Sequence, residues 1–190
     1  NNASTDILNI TKENIMQTNS YMSWACFYNV INRANTVLEF APLVAEKDPN
    51  YRVSELYANI AEAKAIRALS YFYLIRAYKD VPYVTIPSTD DTNEFVVPAA
   101  KFENILDSLI IDLEEVRNYA VNKYTNKKAN TARFTRNGID ALLADLYLWD
   151  GDWDNCIAAV DRIVANRVEE YKEILEKEPN TTLVLFNNEY

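Results

Sequence analysis

The side chains that could carry out chemistry in this sequence are carboxylates and aromatic rings. Its 190 residues include 28 Asp and Glu residues and 23 aromatic residues (3 Trp, 13 Tyr and 7 Phe). It has no His. Without histidine, the Ser–His–Asp and Cys–His nucleophile systems, HExxH zinc sites and histidine acid–base catalysis are excluded. The two glycines are too few for a phosphate-binding loop or a dinucleotide fingerprint. Paired carboxylates are the catalytic chemistry left open.

Acidic side chains stand close together at three places: Glu114-Glu115, Glu169-Glu170 and Asp107/Asp112. Each set falls on the polar side of a predicted helix, so we expect these carboxylates to be solvated. A glycosidase needs two carboxyl groups facing one cleft, one of them with a raised pKa. The sequence offers no such pair, and we predict no catalytic residue.

An acidic run after the fourth predicted helix begins like an EF-hand loop at Asp150. Asn155 stands where that loop needs glycine, and Asp161 where it needs a bidentate glutamate. Asp152 is better explained as the N-cap of the next helix. We therefore predict neither a metal site nor a cofactor.

Aromatic rings suit sugar binding because their faces stack on the C–H faces of sugars. Most of the rings here fall on apolar helical stripes, and we expect these to be core: Trp24, Tyr28, Tyr71, Phe72, Tyr147 and Trp153. Tyr21, Tyr83 and Phe95 lie outside the stripes. Of these, Tyr21 and Tyr83 are the candidate sugar-contacting residues that we select for testing.

The helices that must position these side chains follow from apolar spacing. Stripes predict five helices, at residues 24–38 (ending before Pro42), 56–78, 106–120, 139–147 and 153–164. The second is apolar nearly all round, which is typical of a helix buried among neighbours. Arg67 lies in its middle, and we expect it to form a core ion pair or to clamp a helix end. After residue 167 the signal weakens to a possible short helix at 172–177 and a strand-like run at 182–186.

Two further segments stand out between and within the helices. Residues 80–101 form one long loop with three prolines and an acidic middle, and loops of this length are usually functional or mobile. Residues 136–166 fit a degenerate tetratricopeptide-like hairpin. Gly151 provides its turn, while small residues, Ala144 and Cys156, allow its two backbones to approach closely.

Composition narrows the class of protein. The net charge of −9 gives a surface that repels phosphate backbones, so we predict no nucleic-acid partner. No apolar run is long enough to span a membrane as a helix. Cys26 and Cys156 each fall on an apolar stripe, and we expect two buried free thiols rather than a disulfide.

Three blocks of sequence occur in the order and spacing of one known family. They are W-x-x-x-Y-x-x-I-x-x-A-N-x-x-L at residues 24–38, AEA-x-x-x-RAL-x-YF-x-L with a following DVP at 61–82, and ALLA-x-x-YL-x-x-GDW at 141–153. Lys79, just before DVP, stands where the family usually has glycine. Over about residues 20–166 the chain resembles the SusD/RagB family of outer-membrane glycan-binding lipoproteins.

This resemblance implies an all-α, SusD-like core of stacked tetratricopeptide-like hairpins. It implies a non-catalytic protein that binds oligosaccharides or polysaccharides at the cell surface and delivers them to a TonB-dependent, SusC-like outer-membrane transporter. The full-length protein would be lipid-anchored. Family members are longer, so residues 1–190 are expected to be a single helical domain within a larger chain. The family's sugar contacts come mostly from loops outside the matched blocks, so no residue is carried over.

Two other functions remain open from sequence. A tetratricopeptide scaffold that binds proteins would show a concave groove lined by polar residues from successive first helices. An α/α glycosidase domain would bring two carboxylates to one cleft.

Overall fold

The computed structural model describes residues 5–14, 16, 18–89 and 96–177 of the chain. These residues fold almost entirely as α-helix, which confirms the predicted all-α class. The elements are α1 (Thr5–Thr11), α2 (Ala25–Lys47), α3 (Val53–Tyr78), β1 (Val81–Pro82), β2 (Ala99–Ala100), α4 (Phe102–Val116), α5 (Lys127–Ala132), α6 (Arg136–Asp150) and α7 (Trp153–Lys177). Short 3-10 turns lie at Ser20–Met22 and Arg117–Tyr119.

The long helices pack side by side in the order α2, α3, α4, α6, α7. The second predicted helix, α3, is central as expected, with α2 on one side and α4 on the other. Its fully buried positions are small in the middle of the helix, at Ala61 and Ala65, and large toward its C-terminal end, at Tyr71, Phe72 and Leu74. The alanines allow the neighbouring helices to approach closely, while the large side chains fill the core between them.

Pro42 lies inside α2, whereas the sequence predicted that this helix would end before it. Proline has no N–H to donate to the carbonyl of Leu38, and in a helix interior this costs roughly 3 kcal/mol. Helix α2 packs along α3, and this packing offsets the lost hydrogen bond. The prediction of the helix end was wrong because local propensity was overridden by tertiary contact.

Helices α6 and α7 form an antiparallel hairpin. The Thr135 hydroxyl caps α6 by accepting a hydrogen bond from the Gly138 N–H, and Gly151 ends it in the left-handed region, at φ 82°. Asp152 then accepts from the backbone N–H of Asn155 at 3.1 Å, as its predicted N-cap role requires. Hydrogen bonding to Asn155 holds the pKa of the Asp152 carboxyl below its ordinary value.

Helix α7 is longer than predicted. It continues without a break to Lys177, so the weak signal after residue 167 marked no end, and residues 172–177 belong to α7 rather than to a separate short helix. Glu169 and Lys172 form an i,i+3 ion pair on the surface of this part of the helix. Charged residues of this kind interrupt the apolar pattern, and for that reason the sequence signal weakened there. The strand-like run at 182–186 lies outside the described residues.

Three core predictions were wrong. Trp24 is 36% exposed and Trp153 is 62% exposed, and Cys26 is exposed as well. Each lies on an apolar stripe, but at the edge of the packed layer rather than inside it. Tyr71, Phe72 and Tyr147 are buried as predicted, and Tyr28 is partly buried. Both cysteines are free, and Cys156 is partly buried.

The segment 80–101 is tied together at both ends, whereas the sequence predicted one long loop. Strands β1 and β2 pair antiparallel, with Val81 opposite Ala100. The Asp80 carboxylate accepts hydrogen bonds from the Lys101 ammonium at 2.7 Å and from the N–H of Phe102 at 3.1 Å. Asp80 therefore caps α4, and these bonds hold its pKa below the ordinary value.

The turn that leads into this segment occurs at Lys79, with φ 67° and ψ −92°. These angles lie close to those of a γ-turn with positive φ, a strained conformation for a residue with a side chain. Glycine, which the family that this sequence resembles usually has at this place, would adopt these angles without that strain.

Within the part of the chain that the structure describes, none of the helices combines the length and the apolar character that crossing a membrane requires.

Candidate functional site

A cleft of about 530 Å³ opens between α3, α4 and the segment that follows β1. Its apolar lining comes from Leu38, Ile60 and Ile111. Its polar lining comes from Lys64, Arg67, Tyr83, Thr85, Ser108 and Asp112. A surface that combines apolar patches with fixed hydrogen-bonding groups and a ring is chemically suited to a sugar.

Side chains of α2 and α3 hold the segment 82–88 that forms one wall of this cleft. The Tyr28 hydroxyl donates to the carbonyl of Pro82 at 2.7 Å, and the Asn35 amide donates to the carbonyl of Val84 at 3.0 Å. Tyr71 uses its hydroxyl twice, donating to the Val84 carbonyl and accepting from the Val84 N–H. Further along, Asn32 accepts from the N–H of Ser88 at 2.7 Å.

These contacts give a structural role to the sequence motifs. Tyr28 and Asn35 belong to the first block, and Tyr71 belongs to the second. Each uses its polar atoms on the backbone after the DVP turn, so the motif residues act as a frame for the segment that carries Tyr83. Burial raises the pKa of Tyr28 to about 12 and also raises the pKa of Tyr71.

An ion-pair network forms the opposite wall. Arg67, 6% exposed, donates to Asp112 at 2.5 Å and to the side-chain oxygen of Asn35 at 3.0 Å. Lys64 lies 3.0 Å from the other Asp112 oxygen and 2.6 Å from Glu115. Arg67 thus joins α2, α3 and α4, which confirms the predicted core ion pair. Both Asp112 oxygens are engaged by cations.

Tyr83 lies on the cleft wall, partly buried. Its ring packs on Tyr71, with the ring centres 4.8 Å apart, and Ser108 and Asp112 line the same cleft. Burial, followed by the nearby negative charge of Asp112, raises the pKa of the Tyr83 hydroxyl. Its position is therefore well defined before any ligand arrives.

Tyr21 lies elsewhere, in the 3-10 turn before α2, and is 58% exposed. The Asn19 side chain caps this turn by accepting from the N–H of Tyr21 at 3.0 Å. The structure does not place Tyr21 on the cleft with Tyr83. A row of ring contacts runs between the two regions, from Trp24 through Tyr28 and Tyr71 to Tyr83. Phe95, the third ring outside the helical stripes, falls outside the described residues.

Among the carboxylates that the sequence assigned to solvent, Asp112, Glu114 and Glu115 are engaged with basic side chains of neighbouring helices. Asp112 pairs with Arg67 and Lys64, as above. Glu114 accepts from Arg162 at 3.2 Å and from the Tyr147 hydroxyl at 3.1 Å. Polar-face spacing located the helix surface correctly, but it could not show which neighbouring helix brings a cation to that surface.

Sequence reasoning missed Asp140, which is 1% exposed. Its carboxylate accepts from Arg117 at 2.7 and 3.0 Å and from Arg162 at 2.8 Å. It joins α6 to α7 and to the turn after α4. The available signal was an aspartate between Ile139 and Leu142 on an apolar stripe, because a buried carboxylate requires a cationic partner.

The carboxylates at the cleft are held in ion pairs. Among the described residues that line the cleft, Asp112 is the carboxylate, and Glu115, which shares Lys64 with it, lies outside the lining. The described part of the chain also holds no cluster of three or more His, Cys, Asp or Glu side chains suited to a metal ion.

Comparison with known proteins gives consistent matches. The family model of SusD-like proteins, described as starch-binding and associating with the outer membrane, matches residues 1–148. SusD-like protein P38 of Formosa agariphila is 24% identical over 158 residues, which is 83% of this chain and 28% of that protein. The chain therefore spans less than a third of the length of this relative.

Solved structures agree with the fold. A SusD superfamily protein from Bacteroides thetaiotaomicron superposes with a TM-score of 0.71 at 24% identity, covering 87% of this chain and 38% of that one. A structure described as a laminarin binding SusD-like protein gives a TM-score of 0.65 at 28% identity, covering 74% and 29%. Since the family model covers most of the chain, the protein belongs to the SusD-like family of outer-membrane-associated glycan-binding proteins.

Proposed function

We propose that the full-length protein captures oligosaccharides at the cell surface and delivers them to a TonB-dependent, SusC-like transporter without catalysing any reaction on them. It would be held at the outer membrane by a lipid anchor. Family membership supports glycan binding, and the framed cleft beside Tyr83 is the observation that supports a binding site in this segment.

The cleft supports the proposal through its chemistry. Apolar side chains on α2, α3 and α4 can cover the C–H face of a sugar, while Thr85, Ser108 and the remaining lone pairs of Asp112 offer hydrogen-bond partners for hydroxyl groups. Asp112 is the one carboxylate among the described lining residues, whereas glycosidase chemistry uses two that face the same cleft. The chain then acts as a binding surface.

The ligand class follows from the relatives. The family model is described as starch-binding and one structural neighbour as laminarin binding, and both of those polysaccharides are polymers of glucose. We therefore propose glucans as the first ligands to test, with α- and β-linked oligosaccharides in separate titrations.

Calorimetry of the full-length protein with these oligosaccharides tests the assignment. Tyr83→Ala should weaken binding about tenfold or more, since a stacked ring contributes roughly 1–2 kcal/mol. Tyr21 lies outside the cleft, so Tyr21→Ala should weaken only the binding of an oligosaccharide long enough to reach beyond it. Tyr119→Ala is the matched control, because Tyr119 is also half-exposed but stacks on Tyr57. Tyr83→Phe, which keeps the ring, separates a loss of stacking from a loss of folding.

If Tyr21→Ala and Tyr83→Ala both bind like the wild type, the proposed residues are wrong. If no glycan binds at all, the proposed function fails. The transporter is tested separately, by purifying the native membrane complex: a β-barrel transporter should copurify, and its repeated absence would contradict that part of the proposal.

A further inference from the structure

Helix α7 carries a continuous apolar stripe that nothing in the described chain covers. We define the α7 stripe as seven side chains, each between 41% and 62% exposed: Trp153, Ile157, Val160, Val164, Val168, Tyr171 and Leu175. At 1.5 Å per residue it is about 33 Å long. Monomeric proteins rarely expose an apolar surface this extended, and such surfaces usually mark a contact with another protein segment.

The spacing of the side chains in the α7 stripe indicates the shape of the partner that would fit it. The steps between successive members are 4, 3, 4, 4, 3 and 4 residues, which is an eleven-residue repeat. At 3.67 residues per turn, this repeat stays on one face of a nearly straight α-helix. A long, narrow apolar seam of this kind fits the apolar face of a second helix lying alongside α7.

The stripe is distinct from the face of α7 that packs on α6. Ala159, fully buried, and Cys156, partly buried, belong to the core side. At 100° per residue, the centre of the α7 stripe lies about 80° around the helix from Cys156 and about 140° from Ala159. The inner face is already satisfied, so α7 has a second, unfilled packing surface.

The C-terminal part of α7 extends past its partner. Asn137, near the start of α6, reaches Asn166 of α7 at 3.5 Å, and residues 167–177 continue beyond that point. Of these, residues 167–176 are exposed except for Glu170, which is partly buried. A helix end of this length is marginal by itself in water, and helical stability in proteins comes mostly from packing an apolar face.

The length of the relatives indicates which partner covers the stripe. This chain spans 28% of P38 and 38% of the Bacteroides thetaiotaomicron structure, so most of each relative lies outside the shared segment. Helix α7 also lies at one end of the packed row of helices. In stacked helical architectures, the next hairpin packs on such an end face.

We propose that the α7 stripe is the docking surface for an amphipathic helix supplied by the same polypeptide, from the part of the full-length protein that lies outside this chain. The helix lies along α7 for most of its length and covers the overhanging residues 167–177. The stripe thus joins this helical segment to the remainder of the protein.

Hydrogen exchange tests this proposal on the full-length protein and the 190-residue chain in parallel. Backbone amides of residues 167–177 should exchange at least about tenfold more slowly in the full-length protein. Amides of α3 serve as the internal control for folding and should be protected in both. Equal exchange of residues 167–177 in the two proteins would overturn the proposal.

A matched pair of double variants identifies the surface. Val164→Lys with Val168→Lys places two charges on the stripe, and Ala158→Lys with Ala165→Lys places two charges on exposed positions of α7 away from it. The first pair should restore fast exchange of residues 167–177 in the full-length protein, and the second should leave it slow. Slow exchange in both would refute the proposed surface.

The same variants and measurements distinguish two other partners that could cover the α7 stripe. If the 190-residue chain forms a dimer that the Val164→Lys, Val168→Lys variant dissociates, the occupant is a second copy. If residues 167–177 of the full-length protein become protected only in the purified transporter complex, the occupant is the transporter. Either result would overturn the proposal of an intramolecular helix.

Discussion

The cleft beside Tyr83 and the α7 stripe both expose apolar and aromatic side chains, but they differ in their polar surroundings. In the cleft, the lining segment is fixed by hydrogen bonds from Tyr28, Asn35 and Tyr71, and an Arg67–Asp112 pair lies opposite. Along the α7 stripe, seven apolar side chains follow one another on a helix face.

This difference separates two kinds of recognition. A sugar must exchange its hydrogen bonds with water for equally good ones, so its site needs polar groups held in place beforehand. A helix brings no free backbone groups and needs only apolar area and shape. The cleft therefore suits a small polar ligand, and the stripe suits a protein segment.

The largest effect is expected where a polar network joins the inner side of α7 to the core. Asp140→Ala leaves Arg117 and Arg162 without their shared buried carboxylate, which should cost about 3–5 kcal/mol. The melting temperature should fall on the order of 10 °C. Asp154→Ala, at an exposed position in the first turn of α7, should change stability by less than about 0.5 kcal/mol. Thermal unfolding of both variants checks this, and an equal response would show that α7 is not anchored through Asp140.

A smaller loss is expected in the frame of the cleft. Tyr71→Phe removes the hydroxyl that bonds both polar atoms of Val84, and leaving the Val84 N–H without a partner should cost about 1–3 kcal/mol. Tyr73→Phe is the control, because the Tyr73 side chain is half-exposed. Denaturant unfolding measures both. If the two variants unfold alike, the Tyr71 hydroxyl does not hold the cleft segment.

Alkaline pH tests the same frame through Tyr28. Burial raises its pKa to about 12 in the folded protein, against about 10 when unfolded. The neutral hydroxyl therefore contributes stability that is fully present below pH 10 and is lost as pH rises from 10 to 12. Unfolding measured across this range should show a decline that Tyr28→Phe makes shallower. An unchanged slope in the variant would contradict the assignment.

The smallest effect is expected at the turn into the cleft segment. Lys79→Gly should relieve a strain of about 1–2 kcal/mol, partly offset by about 0.5–1 kcal/mol of glycine entropy. The variant should be more stable by up to about 1 kcal/mol. Arg52→Gly, at an ordinary φ of −69°, should not be stabilised. A Lys79→Gly variant that unfolds more easily than wild type would mean that Lys79 makes a compensating contact.

Much of the fold could be predicted from apolar spacing, because a helix buried on several sides is marked by its own sequence. Helix α3 is the example, and Arg67 within it pointed to a core ion pair. Spacing shows which side chains share a face, but not whether another element covers that face. For that reason Trp24 and Trp153 were predicted to be buried and are exposed.

The candidate site could be predicted from the sequence less completely than the fold. Tyr83 was selected because it lies outside the helical stripes, and the structure places it on a cleft wall. Asp112 and Asp140 were not recognised, because their cations come from other elements: Arg67 and Lys64 on α3 for the first, Arg117 and Arg162 for the second. Such pairings depend on how helices pack, which one-dimensional spacing does not record.

The most direct test of the two-surface account is hydrogen exchange of the full-length protein with and without a saturating glucan oligosaccharide. The account predicts slower exchange on ligand addition in the described part of the cleft segment, residues 83–89, and in the stretches of α3 and α4 that line the cleft. It predicts no ligand-dependent change in residues 167–177 of α7. Ligand-dependent protection of α7 with none around Tyr83 would contradict the account.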